Sequence, residues 1–363
     1  MTTKKLITLA AAAAVLGGLA YVSTNTRKLK TPALTGKPVL AALDISAVQR
    51  IEVSDDGQKT LILESADSGW TVKTLFGYPA DIVKIREHLL TLADLKIGQV
   101  AAAGQLGHAR VVDLQNASGK SLATLRLGEK HLREATGQMA MYGGGAYPDG
   151  RYVATERDTV YLVAETLDAF DGDPKRWVDT QLTSIQGLQI ATAEFTADGE
   201  TLKLEKKDGA WALDGLGEQE ELDTSKLFAV DNALGNLHFT SIADPALTDE
   251  QLGMVTGAVY KVTFSNGATY TATLGAASGS DRYFKISATF TSPEPDAEAA
   301  GHLQQAQGLQ NKIQAAAIEV FNAKHANWVY LIPAHTAGNM TRCRADVVKA
   351  KETEAPAPAD ASE

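Results

Sequence analysis

Histidine and cysteine, which most often bind metals or act as nucleophiles, are few in this sequence and widely spaced. No two histidines are four residues apart, as zinc ligands on one face of a helix would be, and none is paired with a cysteine. Cys343 is the only cysteine, so it forms no intramolecular disulfide, and we interpret it as a bystander thiol. The histidines are His88, His108, His131, His238, His302, His325 and His335.

Three other segments have parts of known binding motifs but lack the rest. ASGKS at residues 117–121 resembles a phosphate-binding loop, yet Leu114 stands where the first glycine is needed, and a strand follows. Gly143–Gly145 lack the spacing of a dinucleotide fingerprint, and the loop with Asp171 and Asp173 lacks the closing glutamate of a calcium site. We therefore predict no catalytic, cofactor-binding or metal-ligating residues and no cofactor.

The chain is organised around one unit that occurs twice, at residues 50–98 and 192–240. Each copy reads as strand, Asp-Gly turn, strand, second turn, strand with tryptophan, and helix. Asp56-Gly57 and Asp198-Gly199 indicate type I′ hairpin turns, because these residues tolerate a positive φ. The Asp-Gly turns and the tryptophans of the two copies are separated by nearly the same number of residues, which predicts an internal repeat.

Apolar residues in each copy predict the surfaces that pack. We expect Trp70 and Trp211 to be core anchors, since a large ring buries much area from one position. Spacings of three and four residues predict one buried stripe on each helix, which must lie on the sheet. The stripes are Ile82, Ile85, Leu89 and Leu92 in the first copy and Leu227, Val230, Leu234 and Leu237 in the second.

These patterns predict an α+β protein with an N-terminal transmembrane helix followed by two related domains. Each domain should be a mostly antiparallel sheet packed with a helix. A chain of 363 residues is long enough for two such cores. The predicted segments are a cytoplasmic start at 1–5, an anchor at 6–22, a linker at 23–40, domains at 41–180 and 181–335 with a helical insert at 296–323, and a disordered acidic Pro/Ala-rich tail at 336–363.

Residues 6–22 are uncharged and mostly apolar, and they follow the basic Lys4 and Lys5. Their length, about 25 Å as a helix, fits a membrane anchor. A signal peptide cleaved after Ala20 is the alternative, with a weak cleavage site. Basic residues on both sides nearly balance, so they do not fix the orientation. We predict an uncleaved anchor.

The insert at 296–323 breaks the symmetry between the two copies. It is rich in alanine and glutamine, and a thin apolar stripe runs along it. Two interpretations remain open: the stripe packs on its own domain, or it docks a partner helix. Leu303, Ile313 and Val320 are the candidate partner-binding residues.

Charge excludes one class of partner. The net charge is −10, and the first 30 residues carry five basic and no acidic residues, so the rest carries −15. A body this acidic offers no counter-charge to nucleic acid, and we expect no nucleic-acid partner.

The layout resembles the family catalogued as domain of unknown function 4340, over roughly residues 3–335. Residues 181–335 depart from it through the insert and a weak L-G-A match at Leu274–Ala276. Beyond the hairpin, turn-Trp and helix features of the repeat, the shared motifs are L-R-L-G at Leu125–Gly128, R-Y-V at 151–153, V-Y-L at 160–162 and DPKRWVD at 173–179.

Members of that family look like single-pass membrane proteins with an extracytoplasmic body. Some are similar to, or encoded beside, auxiliary parts of gliding-motility-type ABC transporters, and the resemblance implies no catalytic residues. With the predicted anchor, it implies a bacterial inner-membrane protein with its body in the periplasm. We therefore expect a non-catalytic accessory or protein-binding module of a membrane partner, such as an ABC transporter, or of an envelope assembly. An envelope hydrolase and a passive spacer are the alternatives.

Overall fold

A computed structural model describes most of the chain after residue 33. It divides into two compact units, Met1–Trp177 and Val178–Glu363. The predicted start and anchor, residues 1–22, lie outside the described residues. Within the described ranges, no helix combines the length and apolar content needed to cross a membrane. Those ranges are 34–136, 141, 145–156, 158–185, 190–293 and 301–351.

The first unit contains one nine-stranded sheet in which every neighbouring pair is antiparallel. Its strands are β1 (Arg50–Asp55), β2 (Gln58–Ala66), β3 (Gly69–Val72), β4 (Tyr78–Pro79), β5 (Gln99–Ala101), β6 (Arg110–Gln115), β7 (Ser121–Arg133), β8 (Tyr147–Ala154) and β9 (Val160–Val163). The spatial order is β4-β3-β2-β1-β6-β7-β8-β9-β5. One helix, α1 (Ile82–Ala93), lies between β4 and β5 in the chain.

The second unit contains an eight-stranded antiparallel sheet and two small two-stranded sheets. Its strands are β10 (Gln181–Thr183), β11 (Ile190–Ala197), β12 (Glu200–Lys207), β13 (Ala210–Leu213), β14 (Glu220–Leu222), β15 (Leu237–His238), β16 (Ser241–Ile242), β17 (Ala258–Phe264), β18 (Ala268–Ser278), β19 (Asp281–Phe290), β20 (Tyr330–Pro333) and β21 (Val348–Ala350). Its helices are α2 (Thr224–Asn232), α3 (Gly301–His325), α4 (Ala334–Ala337) and α5 (Arg344–Val347).

The two large sheets have the same strand order relative to the chain. The order β13-β12-β11-β17-β18-β19-β20-β16 matches β3-β2-β1-β6-β7-β8-β9-β5 strand for strand. Mostly antiparallel sheets with few helices confirm the predicted α+β class. Short 3-10 helices occupy Ile45–Ala47, Lys73–Leu75, Ala103–Gln105, Asp168–Phe170, Pro174–Trp177 and Gly338–Met340.

Local sequence explains the equivalent turns and helix starts. Asp56, Gly57, Asp198 and Gly199 all have a positive φ, which confirms the predicted type I′ hairpins. Each main helix then begins after a capping aspartate, since Asp81 accepts a hydrogen bond from the Val83 amide and Asp223 from the Ser225 amide. α1 buries Ile85, Leu89 and Leu92, but Ile82 is exposed; α2 buries Leu227 and Val230.

The prediction that Trp70 and Trp211 are core anchors is wrong. Both rings are only half-buried. Trp211 lies on β13, an edge strand with a neighbour on one side only, and Trp70 lies beside the two-residue β4. The fully buried tryptophan is Trp177, whose indole donates a hydrogen bond to the Ala169 carbonyl at 3.0 Å.

Two segments predicted to lack structure are ordered in part. The end of the predicted linker is fixed, because the Gly36 amide donates to the Ile97 carbonyl at 2.7 Å and the Val39 amide to Leu95 at 2.8 Å. The predicted disordered tail at 336–363 is wrong for its first part. Met340 and Val347 are buried, and β21 pairs with β14, so apolar anchors hold the chain as far as residue 350. Residues 352–363 lie outside the described residues.

Candidate functional site

The long helix α3 is held on β19 of its own sheet by polar contacts on its inner side. Asn322 donates to the Ala288 carbonyl at 2.7 Å and accepts from the Ala288 amide at 2.8 Å, so one side chain replaces a missing strand neighbour. Near the middle of the helix, Asn311 donates to the Ser292 hydroxyl at 2.6 Å. These bonds fix the rotation of α3 and therefore fix which face points away from the sheet.

Aromatic packing and one buried histidine secure the C-terminal end of α3. The ring of Phe321 packs edge-on against Tyr270, with centroids 5.2 Å apart. His325 is 2% exposed, and its Nδ1 lies 2.7 Å from the hydroxyl of the fully buried Tyr330. Burial lowers the pKa of His325 to about 4, so the imidazole is neutral at pH 7.

The side of α3 opposite these contacts carries an apolar row, one member of which, Ile313, also lines a groove with Asn266 and Pro293. Every member is exposed, whereas Ile318, half a turn away, is 5% exposed. The spacing alternates between three and four residues, which is the pattern of positions a and d in a coiled-coil heptad. We call this row the α3 seam. Its members are Ala306, Leu309, Ile313, Ala316, Val320 and Ala323.

The candidate residues from the sequence fall partly within this seam. Ile313 and Val320, 62% and 70% exposed, are members. Leu303 is 54% exposed but points about 80° away from Ile313 around the helix axis, so it lies beside the seam. Leu309 was missed, although its three- and four-residue spacing to the other members was visible in the sequence.

The seam is flanked by charges of opposite sign. Lys312 and Glu319 are both exposed and stand seven residues apart on one edge of it. On the other edge, Lys324 is held by Asp179, with Nζ 2.9 Å from Oδ2. A surface of this kind can receive an apolar helix, and the charges restrict which helix it accepts.

Among the described residues, one group brings three metal-ligating atoms within 4.8 Å of one another: Asp55, Asp56 and His108. Sequence reasoning missed it, because the pairing of β1 with β6 brings together residues that are 53 apart in the chain. The Asp55 carboxylate already accepts from His108 at 2.5 Å and faces Arg110 at 2.9 Å. Its hydrogen bond to the Asp55 carboxylate raises the pKa of His108, which favours the protonated imidazole. The group therefore behaves as an ion-pair cluster.

A second charged cluster surrounds Asp171, which lies in the loop whose sequence lacks the closing glutamate of a calcium site. Arg151, 2% exposed, donates to Asp171 at 2.6 Å and to the Gly128 carbonyl at 2.9 Å, and Lys130 lies 3.0 Å from the same carboxylate. The second unit repeats the backbone part of this contact, since Arg282 donates to the Gly275 carbonyl at 2.6 Å. Repetition of the contact without the carboxylate indicates a structural role.

A groove of about 620 Å³ in the second unit lies beside β12 and Cys343. Its carboxylates include Glu205, whose pKa is lowered by a hydrogen bond from Lys203. Throughout the described ranges, every carboxyl group whose pKa departs from its ordinary value is shifted downward. A glycoside hydrolase uses a carboxylic acid with a raised pKa as its general acid. Glu205, with its lowered pKa, is not an acid of this kind.

Comparison with known proteins gives one match. A family model described as Domain of unknown function (DUF4340) matches residues 70–254, just over half of the chain. The match begins within the first sheet and ends before β17, so α3 lies outside it. No curated protein and no solved structure matches the chain.

Proposed function

The chain belongs to the DUF4340 family, and we propose that it is a membrane-tethered, extracytoplasmic protein-binding module that docks through the α3 seam. The exposed seam carries this proposal. Leu309, Ile313 and Val320 are 61%, 62% and 70% exposed on a helix whose other side is fixed to its sheet. A contiguous apolar row left in water on a rigid element is typical of an interaction surface.

The tether comes from the sequence. Residues 6–22 supply an uncleaved membrane anchor that leaves the body in the periplasm of a bacterial cell. The family resemblance suggests an ABC transporter or another envelope assembly as the setting. An accessory protein held near its partner gains effective concentration, so a modest apolar seam is sufficient for binding.

The chemistry of the described residues favours binding over hydrolysis. The carboxylates with shifted pKa values are stabilised in their ionised form, and the buried Arg151 is neutralised by Asp171. These groups stabilise the sheets or the surface, and carboxylates held in the ionised form are not suited to act as general acids.

The test is the loss of a copurifying protein from native membranes solubilised in mild detergent. Changing Ile313 and Val320 together to Asp should release the partner, because two carboxylates in the seam would have to be desolvated on docking. The matched control is Phe228→Asp, which changes an apolar residue that is 73% exposed on α2 of the same unit. It should retain the partner.

Unchanged far-ultraviolet circular dichroism must accompany the loss, because it shows that α3 remains folded. Retention of the partner by the double variant would overturn the seam as the docking face. Turnover of an envelope polymer by wild-type protein, abolished by changing Glu205 in the groove, would support the hydrolase instead.

A further inference from the structure

The α3 seam is complementary to itself when two copies run in opposite directions. Heptad spacing over residues 306–323, about 26 Å of helix, favours a left-handed pairing of two helices. The groups that hold α3 on its own sheet, Asn311, Ile318 and Asn322, lie on the side of the helix opposite the seam. We propose that the occupant of the α3 seam is a second copy of this chain, docked antiparallel. The proposal rests on the proposed function only in taking the seam as the docking face.

Antiparallel pairing distributes the large and small residues better than parallel pairing does. Ile313 then packs against the partner's Ala316, Leu309 against the partner's Val320, and Ala306 against the partner's Ala323. Each of the four central layers therefore contains a branched side chain. In the parallel arrangement every residue would meet its own copy, so Ala316 would face the partner's Ala316 and leave an underfilled layer in the centre.

The flanking charges select the same direction. Ile313 and Val320 occupy position a of successive heptads. In an antiparallel pair, the residues just before position a on the two helices face one another across the seam. Lys312 therefore faces the partner's Glu319, and symmetry places Glu319 opposite the partner's Lys312. A parallel pair would set Lys312 against the partner's Ala317 and gain nothing from either charge. Two ion pairs, from two positions seven residues apart on each helix, specify the antiparallel dimer.

Charge reversal tests this arrangement in the full chain in detergent, with the dissociation constant measured by sedimentation. Lys312→Glu or Glu319→Lys alone converts two attractive pairs into two repulsive ones and should raise the Kd roughly tenfold. The double reversal K312E/E319K restores both pairs in exchanged form and should return the Kd to within about twofold of wild type. Ile313→Asp should abolish the dimer, and Phe228→Asp should leave it intact.

A double reversal as weak as the single variants would overturn the proposal, because a foreign partner or a parallel pair is not restored by it. A wild-type chain that stays monomeric at the concentrations tested would also overturn it. Either result leaves the proposed function standing with a different partner on the seam, because its own test is the copurifying protein and its loss from the Ile313 and Val320 double variant. If dimerisation follows the predicted pattern but nothing else copurifies, the second copy is the only partner supported.

Cysteine trapping in native membranes checks the direction independently, in a Cys343→Ser background. Copies with Lys312→Cys and copies with Glu319→Cys, expressed together, should form a mixed disulfide. Leu309→Cys alone should form none, because its counterpart lies about 16 Å away along an antiparallel pair. A disulfide between two Leu309→Cys chains would indicate the parallel pair and overturn the proposal.

Discussion

Acidification should loosen the C-terminal anchor of α3 through His325. The imidazole is 2% exposed, its Nδ1 lies 2.7 Å from the Tyr330 hydroxyl, and its pKa is about 4, against an ordinary value near 6.5. Because the folded pKa is the lower one, the unfolded chain gains this proton first as the pH falls. Stability is unaffected above pH 7 and falls between pH 6.5 and 4. The linkage amounts to about 2.5 kcal/mol at pH 4.5.

Urea denaturation of wild type and His325→Gln at pH 7.5 and 4.5 measures this contribution. Carboxylates also titrate over this range, but they do so in both proteins, so the difference between the two isolates the histidine. The stability difference should shift by about 2.5 kcal/mol in favour of the variant at pH 4.5. Parallel pH profiles for the two proteins would refute the reasoning, because they would mean that His325 is charged or solvated in the fold.

Three further predictions concern the stability of the two units. Gly128→Ala should lower the free energy of unfolding by about 1–3 kcal/mol, because its Cβ would stand 2.1 Å from the Leu106 carbonyl oxygen. Gly104→Ala, in open space, should have little effect. Trp177→Ala should cost about 3–5 kcal/mol by thermal or urea denaturation, and a loss under about 1 kcal/mol would contradict its core role. Truncation after residue 335 should destabilise the second unit, whereas truncation after residue 351 should leave its melting temperature unchanged.

The sequence predicts local structure correctly where a residue type determines the backbone conformation. Asp56-Gly57 and Asp198-Gly199 define hairpins because both positions take a positive φ. Burial was harder to read, because it depends on the neighbours of a strand. Trp211 lies on a short strand after a turn, and a large ring there was predicted to be buried. The ring is only half-buried, because β13 lies at the edge of its sheet. Its ring instead has Lys206 Nζ 5.0 Å from its centroid.

The glycine shared by the L-R-L-G and L-G-A motifs has a structural reason in both units. Leu125–Gly128 and Leu274–Ala276 resemble each other weakly as sequences. In the structure, Gly128 and Gly275 both stand where a Cβ would meet a carbonyl oxygen, of Leu106 at 2.1 Å and of Leu252 at 2.3 Å. Each glycine also offers its own carbonyl to an arginine on the next strand. The close approach requires glycine, and the surrounding residues are free to vary.

The sequence predicted an apolar stripe on the α3 helix, but it could not predict whether that stripe faces the sheet or the solvent. The thin stripe at 296–323 allowed both packing and docking, since a pattern cannot say which face of a helix meets its own sheet. Asn322 and Ile318 decide this, because they lie on the inner side and leave Ile313 and Val320 in water. The ion-pair cluster at Asp55 and the charge complementarity of the seam depend on residues far apart in the chain or across two chains.

Site-specific photocrosslinking in intact native membranes tests most directly whether protein covers the α3 seam. A benzoylphenylalanine at Ile313 should yield a covalent adduct of higher mass, whereas the same group at Phe228, which is more exposed but lies outside the seam, should yield none. An adduct of twice the chain mass would identify the second copy, and another mass a different partner. No adduct at Ile313, or equal adducts at both positions, would contradict the account.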